Sequence, residues 1–432
     1  MNTTRKQSAA LPIAMMFALF FMISFVTGLQ NPMGVIVKNQ FAVSNLMSQL
    51  GNLANFIAYA VIGIPAGLIL KKRGYKFTAL SACVVGFVGV GISALSGYIY
   101  NPEVQNVALT FAVYLLGTFI AGLSMCMLNT VVNPMLNTLA GGGNKGNQLI
   151  QLGGSLNSIG ATIVPIFVGA LMGNAATAQL SDARPALWIA MTIFALVFFV
   201  LYFVQIPEPH IEKEQVVKVK DTHSPFSFRH FVLGTVAIFI YVGVEVGIPN
   251  IGNLLMTNDL KMDAATAGTI VGTYWFLMMV GRLIGAVVGA KVSSRAMLTT
   301  VSLLGILFVV LGIFMPLEMT VKMPVFQSDL SFAVVNVPAT IMFFILCGLC
   351  TSVMWGGIFN LAVEGLGKYT PAASGIFMVM VCGGGVLPLI QGAIADATSY
   401  IASYWLIVAG MAFMLFYALV GSKNVNKDIN VE

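Results

Sequence analysis

The chain has 432 residues, of which 58% are hydrophobic and only 8% charged, with a net charge of +6 and a mean hydropathy of +0.92. Soluble domains carry about 25% charged residues, so this surplus of apolar side chains excludes a water-soluble globular fold and makes lipid the solvent. The basic balance comes without a basic groove, interleaved aromatics or any nucleic-acid-binding motif, which excludes a nucleic-acid partner.

Uncharged runs are read directly from the N-terminus: 7–37, 77–102, 104–144, 146–181, 185–207, 230–244, 264–281, 296–317, 330–363, 369–395 and 397–422. A membrane-spanning helix needs roughly 20 apolar residues. With the run 48–70 added, and Glu245 allowed inside the seventh, the pattern predicts twelve helices centred near 22, 59, 87, 120, 159, 195, 243, 276, 306, 350, 382 and 411. The first run is too long for a cleaved signal peptide, and helices continue after it. The expected class is an all-α membrane protein of two six-helix halves. They are a first bundle over 1–205, a linker over 206–229 and a second bundle over 230–432. The linker region is the longest polar stretch, holding Glu208, Glu212, Glu214 and Asp221 among several Lys. Two bundles joined in this way are the layout of parallel repeats.

With the N-terminus inside, 17 of the 21 Lys and Arg fall on cytoplasmic segments, and only Lys38, Arg184, Lys261 and Lys322 fall outside. This is the positive-inside asymmetry, and it places both termini in the cytoplasm. The multi-pass setting and this orientation imply the inner membrane of the cell. The five cysteines lie in predicted helices. Cys347 and Cys350 have CxxC spacing but no second ligand pair, so they are read as packing residues. His210, His223 and His230 all fall in or beside the linker, so no intramembrane metal site and no cofactor is expected.

Glu245 is the most informative residue. It is the only charge between Arg229 and Asp259, and an ionisable group inside a membrane span is a functional hypothesis by default. Tyr241 and Glu245 are spaced i, i+4 and share a helix face. Pro249 follows and predicts a break in the helix at 245–249, because proline removes a backbone hydrogen bond. Broken helices at mid-depth are where transporters present backbone to a substrate. Amide side chains supply donors and acceptors without charge, and this chain sets many inside its helices. Asn31, Asn129, Asn133, Gln151 and Asn157 are the candidates for binding, Asn129 and Asn133 again at i, i+4. Trp275 and Trp355 fall too deep for an interfacial belt and are available for stacking on a ring. One acid among many amides favours a neutral, hydroxyl-rich substrate over an ionic one. Arg282 is read as lying at the cytoplasmic end of its helix. Lys71, Lys72, Arg73, Arg282 and Glu364 are assigned to gating or structure, with Glu364 and Lys368 as a helical i, i+4 pair.

The segment Gly67-Leu-Ile-Leu-Lys71-Lys72-Arg73-Gly74-Tyr75-Lys76 resembles the ten-residue G-x-L-x-D-R-x-G-R-K loop of the major facilitator superfamily, with Lys71 where Asp is usual. Five further stretches resemble its fucose–galactose–glucose symporter family: Ile64-Pro65-Ala66-Gly67, Asn129-Thr-Val-Val-Asn133-Pro134, Leu156-Asn157-Ser158-Ile-Gly160-Ala161, Tyr241-Val-Gly-Val-Glu245, and Gly383-Gly384-Gly385 with Leu387-Pro388. The resemblance implies a monomeric carrier that imports a hexose or deoxyhexose by alternating access, usually with a proton. It also carries a departure. The acids that the family's fucose carriers use in helices one and four fall on Asn31 and Asn129, which cannot titrate. Coupling would therefore move to Glu245, with sodium coupling and uniport as alternatives. A sugar-sensing receptor without net flux is the alternative of a different class.

Overall fold

The computed structural model describes residues 10–41, 50–100, 106–172, 179–208, 223–262, 264–327, 329–426 and 428–431. Ten described helices are long and apolar enough to cross a membrane. One of them, Leu53–Ile99, has 47 residues and turns at Gly74 (φ 85°, ψ 177°), so it crosses twice. The helix Gly143–Met172 supplies the remaining crossing, and the twelve expected helices are all present.

In chain order the first crossing is Ala10–Phe41. The second and third are the two arms of Leu50–Ile99 on either side of Gly74. The fourth is Val107–Leu139, the fifth Gly143–Met172 and the sixth Arg184–Phe203. The seventh is Arg229–Leu254, the eighth Ala264–Val288 and the ninth Ser294–Phe314. The tenth is in two pieces, Ala339–Thr351 and Met354–Val363. The eleventh runs Thr370–Val379, then a 3-10 turn, then Gly383–Ala397. The twelfth is Tyr400–Phe416. Ser293 and Ser399 start the ninth and twelfth helices, accepting from the N–H of Ala296 at 3.2 Å and of Ala402 at 3.1 Å. Each satisfies a donor that a helix start leaves without a partner.

The turn at Gly74 is held by a carboxylate from the far end of the first bundle. Glu208, just past the sixth helix, accepts from the N–H of Tyr75 at 2.7 Å and of Lys76 at 2.8 Å. A carboxylate at a helix N-terminus satisfies orphan donors and meets the positive end of the helix dipole. Lys71, Lys72 and Arg73 are exposed, with Arg73 over the Phe77 ring at 5.6 Å.

The two halves meet closely toward the face that carries these basic residues. A Cβ on Gly375 of the eleventh helix would lie 2.5 Å from the Gly63 carbonyl and 2.6 Å from the Gly67 Cα of the second. Only glycine permits that approach. Ser374 Oγ donates to Thr130 O across the same seam at 3.1 Å. Asn360 Nδ2 reaches Gly143 O at 3.4 Å, joining the tenth helix to the start of the fifth.

Three features differ from the sequence expectation. The seventh helix runs unbroken through Pro249, and the interruption lies instead at Ser352–Val353 of the tenth. Glu364 has left its helix (ψ 121°) and Gly365 reverses the chain at φ 72°, so Glu364 and Lys368 are not a helical i, i+4 pair. Glu364 instead presents its carbonyl to His230 Nε2 at 2.9 Å. Between the ninth and tenth helices the strands β1 (Thr320–Phe326) and β2 (Phe332–Pro338) form an antiparallel hairpin. It is pinned to the eighth helix by Phe326 N–H donating to Thr273 Oγ1 at 3.0 Å, with Phe276 stacked on Phe326 at 4.6 Å.

Candidate functional site

Glu245 is the centre of a network drawn from four helices. Tyr241 Oη donates to Glu245 Oε1 at 2.9 Å. Arg282 of the eighth helix sets Nη2 against the same oxygen at 3.3 Å. Its Nη1 donates to Gly154 O of the fifth helix at 3.0 Å, and its Nε to Ser352 O of the tenth at 3.2 Å. The two charged side chains are only 10% and 13% exposed. At that burial each charge depends on the other and on the surrounding hydrogen bonds.

Pro249 has its effect without breaking the helix. It has no N–H to give the carbonyl four residues back, which is that of Glu245. Tyr274 of the eighth helix replaces that donor, its Oη donating to Glu245 O at 3.1 Å and lying 3.0 Å from Thr351 Oγ1. The interruption of the tenth helix is used in the same way: Ser352 O accepts from Arg282, and Val353 O accepts from Gln151 Nε2 of the fifth helix at 2.9 Å. Two hydrogen bonds, Arg282 to Gly154 O and Gln151 to Val353 O, cross between the halves near Glu245.

Aromatic faces surround this network. Trp355, just past the interruption, packs edge-on against Tyr241 (6.3 Å, 63°) and Phe377 (6.1 Å, 87°). Trp275 meets Tyr274 at 5.2 Å and 88°. Asn157 lies three residues beyond Gly154 on the fifth helix. Its Oδ1 is buried with no hydrogen-bond partner, an acceptor of the kind a substrate hydroxyl would satisfy.

Of the residues singled out from sequence, Tyr241, Glu245, Gln151 and Trp355 belong to one network, with Trp275 against its Tyr274 side. Asn129 and Asn133 lie elsewhere. Asn129 Nδ2 donates to Tyr59 Oη at 2.9 Å and Asn133 Nδ2 to Asn129 O at 2.9 Å, on the fourth helix against the second. Asn31 falls outside the described side chains. Arg282 corrects the reading by position alone. Its Cα is near the basic end, but its side chain turns inward, is 8% exposed overall, and provides the counter-charge to Glu245. Tyr274 and the Ser352 and Val353 carbonyls were missed altogether. Glu245 followed by proline at i+4 signals a carbonyl in need of a donor, but nothing in the sequence names Tyr274 as that donor.

A buried, charge-balanced carboxylate with a phenol, amides and indole rings around it suits a small molecule that makes many neutral hydrogen bonds, at a place where two helical bundles meet. The model of the Major Facilitator Superfamily matches residues 16–385. The chain belongs to that superfamily, and relatives that match it nearly end to end include glucose/galactose transporters and an L-fucose-proton symporter. It is 28% identical over 98% of its length to a glucose/galactose transporter of Brucella abortus, covering 97% of that protein. It is 21% identical over 94% of its length to the L-fucose-proton symporter of Escherichia coli, covering 91% of it. The solved structure of the superfamily transporter FucP in its outward conformation superposes with a TM-score of 0.79, at 19% identity, over 97% of this chain and 100% of that one. These relatives are transporters and not enzymes.

Proposed function

We propose that this protein is a secondary carrier of a neutral monosaccharide, a hexose or deoxyhexose, working by alternating access in the cytoplasmic membrane with both termini inside. The observation that carries the reading is the Glu245–Arg282 pair, held between the halves by the Gly154 and Ser352 carbonyls and flanked by Tyr241, Gln151 and Trp355. Asn157 supplies an acceptor for a sugar hydroxyl and Trp355 a face for its ring. The basic side is then cytoplasmic, and the Gly375 seam and the Asn360–Gly143 bond close it, so the molecule faces outward.

The same pair supports proton coupling through Glu245. A proton on Glu245 removes its attraction for Arg282, whose bonds to Gly154 O and Ser352 O tie helices five, eight and ten. Binding and release of that proton therefore act on the contact between the halves. A competing reading is uniport, favoured by one observation: Arg282 already neutralises Glu245, so the pair can serve as a fixed element of the site. Purified protein in proteoliposomes decides between them. Counterflow of labelled sugar, over a panel of monosaccharides, tests carriage and names the substrate. Under symport an inward proton gradient concentrates sugar, and Glu245→Gln abolishes the accumulation while leaving exchange between equal pools largely intact. Accumulation that persists in Glu245→Gln, or none in the unaltered protein, refutes the coupling.

A further inference from the structure

The eighth helix grips Glu245 twice. Arg282 holds its carboxylate, with Nη2 3.3 Å from Oε1, and Tyr274 holds its main-chain carbonyl, with Oη at 3.1 Å. The two side chains start eight residues apart, about 12 Å along the helix axis, and converge on one residue of the seventh. Each grip is backed by the tenth helix at its interruption. Thr351 Oγ1 lies 3.0 Å from Tyr274 Oη, and the next residue, Ser352, gives its carbonyl to Arg282 Nε at 3.2 Å. A carbonyl only accepts, so the phenol hydrogen goes to Glu245 O and the Thr351 hydroxyl can donate to Oη. An ordinary helical carbonyl needs no such support, because the N–H four residues on is its partner; at Glu245 that residue is Pro249. The same helix supplies the contrast. Three residues on, Tyr404 of the twelfth helix donates to Ile248 O at 2.7 Å, but Ile248 also faces the N–H of Gly252 within its own helix. The Glu245 carbonyl depends on its phenol, and the Ile248 carbonyl does not.

We propose that Tyr274 is a positioning residue for transport, an inference that rests on the carrier reading above: by standing in for the amide that Pro249 lacks, it fixes the main chain of Glu245 so that the carboxylate meets Arg282 and Tyr241. Tyr241 passes that position onward, since it bonds Glu245 Oε1 at 2.9 Å and packs against Trp355. A Glu245 that drifts therefore carries the aromatic wall of the sugar site with it, and affinity for the sugar suffers. Tyr274 is fully buried and its hydroxyl is spent on the carbonyl and Thr351, so it acts through Glu245 and not on the sugar itself. A backbone bond would have stayed within the seventh helix. The phenol instead lets the helix that carries the counter-charge set the height of the carboxylate.

The test is counterflow in proteoliposomes with radiolabelled glucose, galactose and fucose in turn. Half-saturation and maximal rate are measured separately for whichever sugar the unaltered protein exchanges fastest. Tyr274→Phe removes only the hydroxyl and should raise the half-saturating concentration at least fivefold. A merely structural role would lower the number of folded carriers, and so the maximal rate, and leave half-saturation where it was. Pro249→Ala returns an N–H to the Glu245 carbonyl. In the double variant of Tyr274→Phe with Pro249→Ala, half-saturation should therefore come back to within twofold of that of Pro249→Ala alone. Tyr404→Phe takes a phenol from a carbonyl that keeps its amide, and should shift half-saturation less than twofold. Unchanged half-saturation in Tyr274→Phe, no rescue in the double variant, or an equal shift in Tyr404→Phe would each overturn the proposal. If the unaltered protein exchanges none of the sugars, it is the carrier reading that fails. Tyr274 is then read by unfolding in mixed micelles titrated with dodecyl sulfate, where Tyr274→Phe should destabilise the parent protein but not the Pro249→Ala background. Equal losses in the two backgrounds would overturn the link to the carbonyl.

Discussion

Replacing Arg282 with Met tests whether the charged pair is a mutual dependence. The change keeps the length of the side chain and removes the guanidinium. Glu245 then keeps a single side-chain partner, Tyr241 at 2.9 Å, and the Gly154 and Ser352 carbonyls lose theirs. Removing one partner of a buried pair costs about 3–5 kcal/mol. At 1.4 kcal/mol per decade that is roughly a 140- to 4,000-fold loss in the folding constant. The double variant Arg282→Met with Glu245→Gln removes both charges and retains an acceptor for Tyr241. Its cost should fall to that of the stranded carbonyls, about 1–3 kcal/mol. Unfolding in mixed micelles titrated with dodecyl sulfate, run on the unaltered protein, both single variants and the double, closes the cycle. The expected coupling is about 2 kcal/mol or more in favour of the pair. If the two single effects simply add, within about 0.5 kcal/mol, the residues do not depend on one another and the account of the site fails.

Asn157→Ala removes an acceptor from a hydroxyl that would otherwise be buried, so sugar affinity measured by counterflow should drop by about 5- to 150-fold, equivalent to about 1–3 kcal/mol; unchanged affinity in a well-folded variant would put the sugar elsewhere. Gly375→Val drives a branched side chain into the Gly63 carbonyl, so the seam should part and spin-label distances across the basic face should lengthen, with transport slowed. Distances identical to those of the unaltered protein would show that the seam is not tight. Glu208→Ala leaves the first N–H groups of the third helix without a carboxylate. Loss of such a cap costs about 1 kcal/mol, readable as earlier unfolding in the same dodecyl sulfate titration, and no change would refute the capping role.

The helices were legible because lipid imposes one simple rule, a long run without charge. Each centre expected from those runs lies inside a crossing of the structure. The rule misleads where short apolar segments do something else. The uncharged run 330–363 continues from β2 into the tenth helix, and its hydropathy does not distinguish them. Glu245 and Tyr241 were legible because a lone carboxylate in such a run has to be explained. Arg282 was assigned by its place along the helix, while its side chain is placed by the carboxylate and two carbonyls that it satisfies. Pro249 was read as a break because its local chemistry permits one. The structure repairs that lost bond with a tyrosine 29 residues on, and opens the tenth helix at a stretch with no proline at all. The carboxylate that caps the third helix comes from Glu208, more than a hundred residues on, beyond the reach of any local pattern.

The hairpin of β1 and β2 acts as a splint. It leaves the end of the ninth helix and enters the start of the tenth, where Thr340 Oγ1 donates back to Met315 O at 3.0 Å, and it is bonded sideways to the eighth through Thr273. Three helices are therefore yoked at one end, the eighth carrying Arg282 and the tenth carrying Ser352. A tilt of this trio cannot occur without swinging the hairpin by the same angle, at a distance from the site that lengthens its arc. Val334 stands out from it, 70% exposed, while Phe332 leans edge-on against Phe276 of the eighth helix at 5.3 Å. Val334 is thus the tip of a built-in dial that follows the inclination of these helices without touching the chemistry at their centre.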